Sequence, residues 1–479
     1  MSPDPKIKNI LLLSLEDLND WIEPLGGHPQ AHTPNLNRLA KMATVFEHAY
    51  AAAPACSPSR TSTLFGQAPW RTGMYSNQQS WALRYPAGGR RSIIGQARDA
   101  GMETIGAGKV FHMGLSGFDT EDWSQFFHTE IDTFSKTSKA AKQGLLGPRT
   151  DFGPLPNSAP PQSDERNLEF MKTKLIRGSE NKFWAFGTFA PHLPFMARQE
   201  FFDKIKTPVE HPPGFHGKAF DPDDLGEFNR LPPSARKLVQ RQIGRTVYRT
   251  GEYQDFIHSY LACIAYADHI VGQLLDQLES QGLLENTMII FWSDHGLQFG
   301  EKLAFHKFTL WERALRVPLM VYHPDLPARR VTEPVSLLDI YPTLQNLLGL
   351  SSPHPFDGQD LMPLTRGNTG RGNAISMWER FTSKPVIESH MAASVRTEKY
   401  RLIRYDTGQL ELYDHEVDPF ETNNLITDDV VSEGSNIEKV CMELILQLPA
   451  DPEPPLLKSN VPKNLPTRKP GERGKTLIH

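Results

Sequence analysis

Apolar residues in this chain fall into short unbroken runs separated by stretches with helical spacing. Residues 9–15, NILLLSL, are apolar over almost their whole length, which predicts a central parallel strand covered on both faces. That run ends on Glu16 and Asp17. The stretch TPNLNRLAKMATVFEHAY then offers Thr33 and Pro34 as a helix start and places Leu36, Leu39 and Met42 at helical spacing, so a strand-then-helix unit is predicted. The pattern recurs late in the chain. YLACIAYADHIVGQLLDQLESQGLL repeats apolar positions at helical intervals, and NTMIIFWSDHG supplies a β run from Met288 to Trp292 ending on Asp294 and His295. Helices alternating with buried strands predict an α/β protein with a doubly wound, mostly parallel sheet, whose ligands sit beyond the carboxyl ends of the strands. Both acidic pairs lie at such ends.

Between these anchors, residues 115–165 and 203–250 are polar, rich in Pro, Gly and charge, and longer than ordinary connectors, so they are expected to cover the site. A Gly-rich and Pro-rich passage near residues 351–373 marks a change of character. Beyond it, AASVRTEKYRLIRYDTGQLELYDHEVDPFETNNL predicts short antiparallel strands with a turn at Asp406 to Gly408, followed by a helix around residues 436–447. The expected organisation is a main domain over residues 1–370, a smaller α+β domain with an antiparallel sheet over 371–450, and an extended tail rich in Pro, Lys and Arg over 451–479. No internal repeat is visible.

Composition adds mainly exclusions. With 479 residues, 39% apolar, 22% charged and a net charge of -5, the chain gives no reason of bulk charge to expect a nucleic-acid partner. No apolar stretch approaches the ~20 residues of a membrane helix. The N-terminus, MSPDPKIKNILLLSLEDLND, turns acidic at once and lacks a small-residue cleavage site, so it does not read as a signal peptide. Cytoplasmic is the default expectation, with periplasmic or secreted for a chain preceded by an export signal. The cysteines Cys56, Cys263 and Cys441 are too few and too scattered for a disulfide framework or a zinc site with paired ligands.

Cys56 stands out by its surroundings, PACSPSRTSTLFGQAPWRTG. By default a free cysteine is a small buried hydrophobe. With 39 Pro, 35 Gly and 3 Cys in 479 residues, the chance of a cysteine carrying Pro at +2 and Gly at +10 is roughly 0.02. Arg60 and Leu64 lower it further. CSPSRTSTLFG matches C-x-P-S-R-x-x-x-L-x-G, and in this the chain resembles the formylglycine-dependent (type I) sulfatases. The resemblance runs over nearly the whole chain, through LEDLND, TPNLNRLA, GKVFHMG, APHLPF, FWSDHGLQFGE and LYDHEVDPFETNNL. GKVFH together with PHLPF is most similar to the iduronate-2-sulfatase group and its bacterial relatives.

The resemblance implies an alkaline-phosphatase-like sheet flanked by helices. It also implies that Cys56 is oxidised by a separate formylglycine-generating enzyme while the chain is unfolded, and that the aldehyde hydrates to a geminal diol. One hydroxyl would attack sulfur and expel the alcohol; deprotonation of the other would break the C–O bond, release sulfate and restore the aldehyde. A divalent cation beside the diol would stabilise charge developing on the sulfate oxygens, Ca²⁺ being expected and Mg²⁺ the alternative. The implied ligands are Glu16, Asp17, Asp294 and His295, with the modified Cys56 completing the shell. The family pattern has Asp where Glu16 stands, and the extra methylene moves that carboxylate.

By the same resemblance, Arg60 anchors the diol and nearby carboxylates. Lys109 and Lys307 hold sulfate oxygens, His112 is the base at the second diol hydroxyl, and His192 sits near the ester oxygen, able to protonate the leaving alcohol. His28, in LGGHPQAHTPN, reads at least as well as a structural turn residue and is left out of the site. Trp70, Trp81 and Trp123 read as packing residues ahead of a sugar platform.

The implied activity is hydrolysis of a sulfate ester, expected to be a carbohydrate O-sulfate. The implied partners are that substrate and the maturation enzyme, with neither nucleic acid nor membrane expected and oligomerisation left open. Two other readings stand beside it. One is a phosphonate monoester or phosphodiester hydrolase on the same site, since phosphoryl and sulfuryl centres share geometry. The other is a catalytically silent relative that binds sulfated glycans, against which the retained Cys56, Arg60, Lys109, His112 and His192 argue.

Overall fold

Strand β1 (Asn9–Leu15) is buried along its whole length, and its pleat divides the side chains between two cores. Leu11, Leu13 and Leu15 enter one apolar cluster, while Ile10 and Leu12 enter another on the opposite face. The computed structural model describes residues 7–79, 81–85, 89–112, 120–212, 225–351, 354–381, 389–426, 434–456 and 476–478. After β1 come α1 (Pro34–Ala40), β2 (Thr44–Tyr50), α2 (Cys56–Phe65), β3 (Glu103–Gly108), β4 (Gln125–Phe127), α3 (Ser163–Lys172) and β5 (Lys182–Gly187). The long helix α4 (Tyr253–Ser280) leads to β6 (Thr287–Ser293), β7 (Arg316–Tyr322), β8 (Arg329–Val331) and β9 (Val335–Ser336). A second group follows: β10 (Asn373–Phe381), β11 (Ser389–Thr397), β12 (Tyr400–Tyr405), β13 (Leu410–Asp414), α5 (Asn436–Ile445) and the terminal β14 (Thr476–Ile478).

The main sheet has the order β8-β2-β7-β6-β1-β5-β3-β4-β14, with β9 beside β2. From β6 to β4 every pairing is parallel; β7 runs antiparallel between β2 and β6. The fold is thus α/β with a mostly parallel sheet. β6 repeats the logic of β1: Ile289 and Phe291 face one core, Met288, Ile290 and Trp292 the other. Helix α4 covers the first face with Ile257, Leu261, Ile264 and Leu275.

Helix α1 begins at Pro34, but Thr33 does not cap it. The Thr33 hydroxyl accepts the Glu23 N–H at 2.8 Å, and the open N–H groups of Asn35 and Leu36 donate instead to Asp268 of α4 at 3.2 and 2.8 Å. A carboxylate from across the core does the work of a local cap.

The smaller sheet is antiparallel in the order β10-β11-β12-β13. Helix α5 packs Cys441 and Leu444 onto Val395, Leu402 and Leu412. This sheet touches the segment that leads into α2: the Met377 N–H donates to Ala52 O at 2.9 Å, and Ser376 Oγ to Ala51 O at 2.6 Å. Beside that seam Arg401 pairs with Glu312 at 2.6 Å and Glu421 at 2.5 Å, and the Tyr50 hydroxyl donates to Glu312 at 2.9 Å. His415 lies 3.0 Å from Glu421 in the same cluster. Its carboxylates are thus answered by cations of the protein itself.

Two expected loops carry more structure than their composition announces. Residues 203–250 include short helices at Gly226–Arg230, Pro233–Leu238 and Gln242–Arg249. The chain's last part begins against the main body, with Glu453 N–H on Trp70 O at 2.7 Å and Leu456 N–H on Gly73 O at 2.8 Å. Its end adds β14 antiparallel to β4 as an edge strand, where an extended tail was expected. Residues 113–119 and 213–224 of the polar segments, and 457–475 of the tail, lie outside the described residues. Among the described residues no helix is long and apolar enough to cross a membrane.

Candidate active site

Parallel register brings the two acidic pairs together. Leu15 of β1 lies opposite Ser293 of β6, so Glu16-Asp17 and Asp294-His295 leave the sheet side by side. Asp17 has φ 57°, a left-handed conformation that is costly outside glycine, although Asp tolerates it better than most residues. It is held from two sides. Its N–H donates to Asp294 Oδ1 at 3.0 Å, and its carbonyl accepts the Tyr260 hydroxyl at 2.7 Å.

Cys56 meets this pair from the first position of α2. Its Sγ lies 3.2 Å from His295 Nε2, 3.0 Å from Lys307 Nζ and 3.9 Å from Asp17 Oδ1. Lys307 Nζ also reaches Asp17 Oδ1 at 2.7 Å.

Lys109 is delivered by a close approach of two glycines. Gly108 and Gly187 face each other at the ends of β3 and β5, and a Cβ on either would fall 2.0 Å from a backbone oxygen. Gly108 also has φ 72°, which suits glycine. The Lys109 N–H donates to Gly187 O at 2.9 Å, and its ammonium contacts the Glu16 carboxylate. Arg60 ties three elements together: Nε pairs with Asp294 Oδ2 at 2.8 Å, and one terminal nitrogen donates to the carbonyls of Lys109 at 2.6 Å and Val110 at 3.1 Å.

His192 Nε2 stands 3.8 Å from Glu16 Oε1 and 3.9 Å from Asp17 Oδ2, while its Nδ1 contacts the Leu193 carbonyl. His112 lies within electrostatic reach of Lys109, Lys307 and Arg60, and its Nδ1 is buried without a hydrogen-bond partner. The structure therefore gathers Glu16, Asp17, Cys56, Arg60, Lys109, Asp294, His295 and Lys307 into one buried cluster, with the partly buried His192 and His112 beside it.

Charge in this cluster follows from burial and mutual fields. Burial pushes the Cys56 thiol up to about 12, against the pull of Lys307. Burial would also raise Asp294, but Arg60, His295 and both lysines hold it well below the usual carboxylate range. Burial and then the two lysine cations press His192 far down, and the same causes act on His112. Burial lowers Lys109 to about 7, with Asp294 opposing; the contact with Glu16 favours its charged form as well.

The carboxylate oxygens of this cluster fit a hard divalent cation. Asp17, Asp294, His295 and Cys56 offer ligand atoms within 4.8 Å of one another, as do Glu16, Asp17, Cys56 and His192. Glu16 Oε2 and Asp17 Oδ2 are buried without a hydrogen-bond partner, which is expensive unless something positive answers them. His295 Nδ1 lies 3.0 Å from the Gly296 carbonyl, an arrangement that leaves Nε2 free to act as a ligand.

Some functional neighbours escaped the sequence reading. Asn77 Nδ2 lies 3.9 Å from Cys56 Sγ while its Oδ1 accepts the Ser57 N–H at 2.8 Å, and no motif marks it. Ser59, the serine of the C-x-P-S-R motif, was visible but carried no assigned role; its Oγ donates to Asp294 O at 2.5 Å. Of the residues set aside, His28 is buried against the Trp21 ring with Nε2 3.3 Å from Glu210 O, outside the cluster. Trp81 and Trp123 are fully buried among Phe65, Phe111 and Phe126 and offer no platform.

The carboxylates, histidine and cations thus stand at the carboxyl edge of a mostly parallel sheet of the alkaline-phosphatase-like fold. The chain belongs to the sulfatase family, whose model matches residues 8–350; a second model, N-sulphoglucosamine sulphohydrolase, C-terminal, matches residues 300–448. It is a sulfuric ester hydrolase of the type I group, a group that uses a formylglycine and a divalent metal. A sulfatase of Formosa agariphila is 30% identical over 437 residues, covering 87% of this chain and 82% of the relative. Choline-sulfatase of Rhizobium meliloti is 28% identical (87% and 82%), and human iduronate 2-sulfatase is 26% identical (91% and 93%). Among solved structures, the phosphonate monoester hydrolase of Agrobacterium radiobacter superposes with a TM-score of 0.72 at 18% identity, covering 92% of this chain and 94% of that one. A protein in complex with its substrate D-glucosamine-2-N,6-O-disulfate superposes with a TM-score of 0.68 at 20% identity (92% and 97%).

Proposed function

We propose that this chain hydrolyses the O-sulfate ester of a carbohydrate, using a formylglycine made from Cys56 and a Ca²⁺ ion held by Glu16, Asp17, Asp294 and His295. The observation that carries the reading is the position of the Cys56 side chain, where Asp17, His295 and Lys307 converge on Sγ at 3.9, 3.2 and 3.0 Å. A thiol pushed up to about 12 is a poor nucleophile and a soft donor in a site built for a hard cation. The oxidised side chain suits the place better. When present, the aldehyde hydrate supplies an attacking oxygen and an internal exit for sulfate, and the cation supplies Lewis-acid stabilisation.

The protein's own residues do the rest. Lys109 and Lys307 provide two ammonium groups for sulfate oxygens as negative charge builds on them. Arg60 keeps Asp294 ionised and in place. His192 is held neutral by burial and by the two lysines, so an anionic ester lying between those lysines would raise its proton affinity and let it serve the leaving oxygen. His112, neutral for the same reasons, can accept a proton. Relatives named iduronate 2-sulfatase and ulvan-active sulfatase support the carbohydrate reading.

The test is a panel of defined sulfated sugars, choline sulfate, an aryl sulfate and a phosphodiester, run on protein co-expressed with a formylglycine-generating enzyme. A sulfated sugar should give the highest kcat/KM. Preference for the phosphodiester would turn the reading to phosphoryl transfer, and preference for choline sulfate would remove the carbohydrate.

A further inference from the structure

The loop that carries His192 packs Ala190 and Leu193 against the main core. It leaves β5 at Gly187 and passes through Thr188, Phe189 and Ala190, and a small cavity behind it is lined by Ala190, His192, Cys263 and Tyr266. Hydrogen bonds fix its backbone as well. The His192 N–H donates to Phe189 O at 2.8 Å, closing a turn. The two N–H groups inside that turn, of Phe189 and Ala190, both point at one side chain: Asp164 Oδ1 accepts the first at 2.8 Å and Oδ2 the second at 2.9 Å.

We propose that Asp164 is the positioning residue for His192, and that through the Phe189–Ala190 turn it determines how well the enzyme cleaves sulfate esters of poor leaving groups. The inference rests on the role given to His192 above. Both of its hydrogen bonds go to the turn and neither to the ligand cluster, and Asp164 lines the same small cavity as His192.

Three features fit the role. The first is chemical: two converging N–H groups need two acceptor oxygens, which an ionised carboxylate has and an amide has not; burial raises the Asp164 carboxyl to about 7, and the bonds from Ala190 and Phe189 favour its ionised form. The second is rigidity. Asp164 is 3% exposed in the first turn of α3, where Ser163 N–H donates to Asp132 at 2.5 Å, Gln162 N–H donates to Glu165 at 2.7 Å, and Glu165 pairs with Arg198 at 2.6 Å. The third is the line of connection. Thr188 N–H donates to Ser14 O at 3.0 Å and Thr188 Oγ1 to Ala190 O at 2.6 Å, so the turn is tied to β1 just before Glu16. A loop fastened at those points holds the imidazole in one place, and a displacement near 1 Å at such a group costs about 10² in rate.

Leaving-group dependence separates this role from plain structural support. Proton donation matters for a sugar alkoxide and much less for nitrophenolate. The experiment measures kcat/KM for the preferred sulfated sugar and for 4-nitrophenyl sulfate in the wild type, Asp164→Asn, Thr188→Val, His192→Ala and the Asp164→Asn/His192→Ala double variant. His192→Ala should shift the ratio of the two by about 10² against the sugar. Asp164→Asn should shift it the same way by about tenfold, and the double variant should show no larger shift than His192→Ala alone. Thr188→Val, which removes only the bond to the Ala190 carbonyl, should give a smaller shift in the same direction and keeps the test decisive where Asp164→Asn does not fold.

Equal losses on both esters in Asp164→Asn, or additive shifts in the double variant, would overturn the inference alone. A wild-type ratio in His192→Ala would instead contradict the role of His192 itself, and the inference with it.

Discussion

Lys307 and Cys56 meet at the floor of the site, with the ammonium nitrogen 3.0 Å from Sγ and 2.7 Å from Asp17 Oδ1. Burial opposes a charge on Lys307, yet Asp17 and its neighbours raise its proton affinity above the usual lysine value, so it stays a cation. Lys307→Met is expected to lose on the order of 10² or more in kcat/KM. If oxidation of Cys56 precedes folding, as proposed, the aldehyde content of position 56, read by peptide mass spectrometry, should not change. Activity within a few-fold of wild type would remove Lys307 from sulfate binding.

Arg60 and Asp294 form a wholly buried pair. Removing one partner of such a pair typically costs about 3–5 kcal/mol, because the other charge is left unanswered. Arg60→Ala should therefore lower Tm strongly. Arg60→Lys, which keeps a charge but cannot also bond both carbonyls of Lys109 and Val110, should fall between the two. Thermal unfolding is the suitable readout, since Arg60 also lies in the CSPSR motif around the proposed modification site, where a substitution would change activity for a second reason. Equal Tm values for Arg60→Ala and wild type would refute the pairing.

Calcium should stabilise the fold by mass action, by about 2.7 kcal/mol when its concentration is a hundredfold above Kd. Chelated protein is expected to melt earlier and to recover on Ca²⁺ addition. Asp17→Asn should abolish the recovery and Glu16→Gln should weaken it. Full recovery in Asp17→Asn would show that the ion binds elsewhere.

His28 gives the pH prediction. Burial lowers its pKa from 6.5 to about 4, so between those values the unfolded chain binds more protons than the folded one. Its contribution to stability is complete above pH 6.5 and is lost as pH falls towards 4. Going from pH 7 to pH 5, wild-type Tm should drop more than that of His28→Gln, a difference of about 2 kcal/mol. Identical pH dependence in melts of the two proteins would place the acid sensitivity elsewhere.

Much of this architecture could be read in the chain because each central strand is a run with one outcome. NILLLSL and TMIIFWS bury both faces, and the residues that end them, Glu16-Asp17 and Asp294-His295, must emerge together at one edge. Motif residues such as Cys56 and Arg60 were visible for the same local reason. What depended on distant parts of the chain was not. Asp268 caps α1 from more than two hundred residues away, and Asn77 and Asp164 act through backbone N–H groups that carry no sequence signature. Strand β10 hid its alternation because buried Ser376 and Glu379 stand among its apolar residues. The edge strand β14 forms on β4 from a stretch too short to show a period.

The proposed catalysis depends most directly on the chemical state of residue 56. Preparations with graded aldehyde content, made by varying co-expression of the maturation enzyme, should be assayed for sulfate ester hydrolysis while peptide mass spectrometry reports the fraction converted. Activity is predicted to rise in proportion to that fraction and to vanish at zero conversion. Full activity in a preparation whose position 56 is entirely thiol would contradict it.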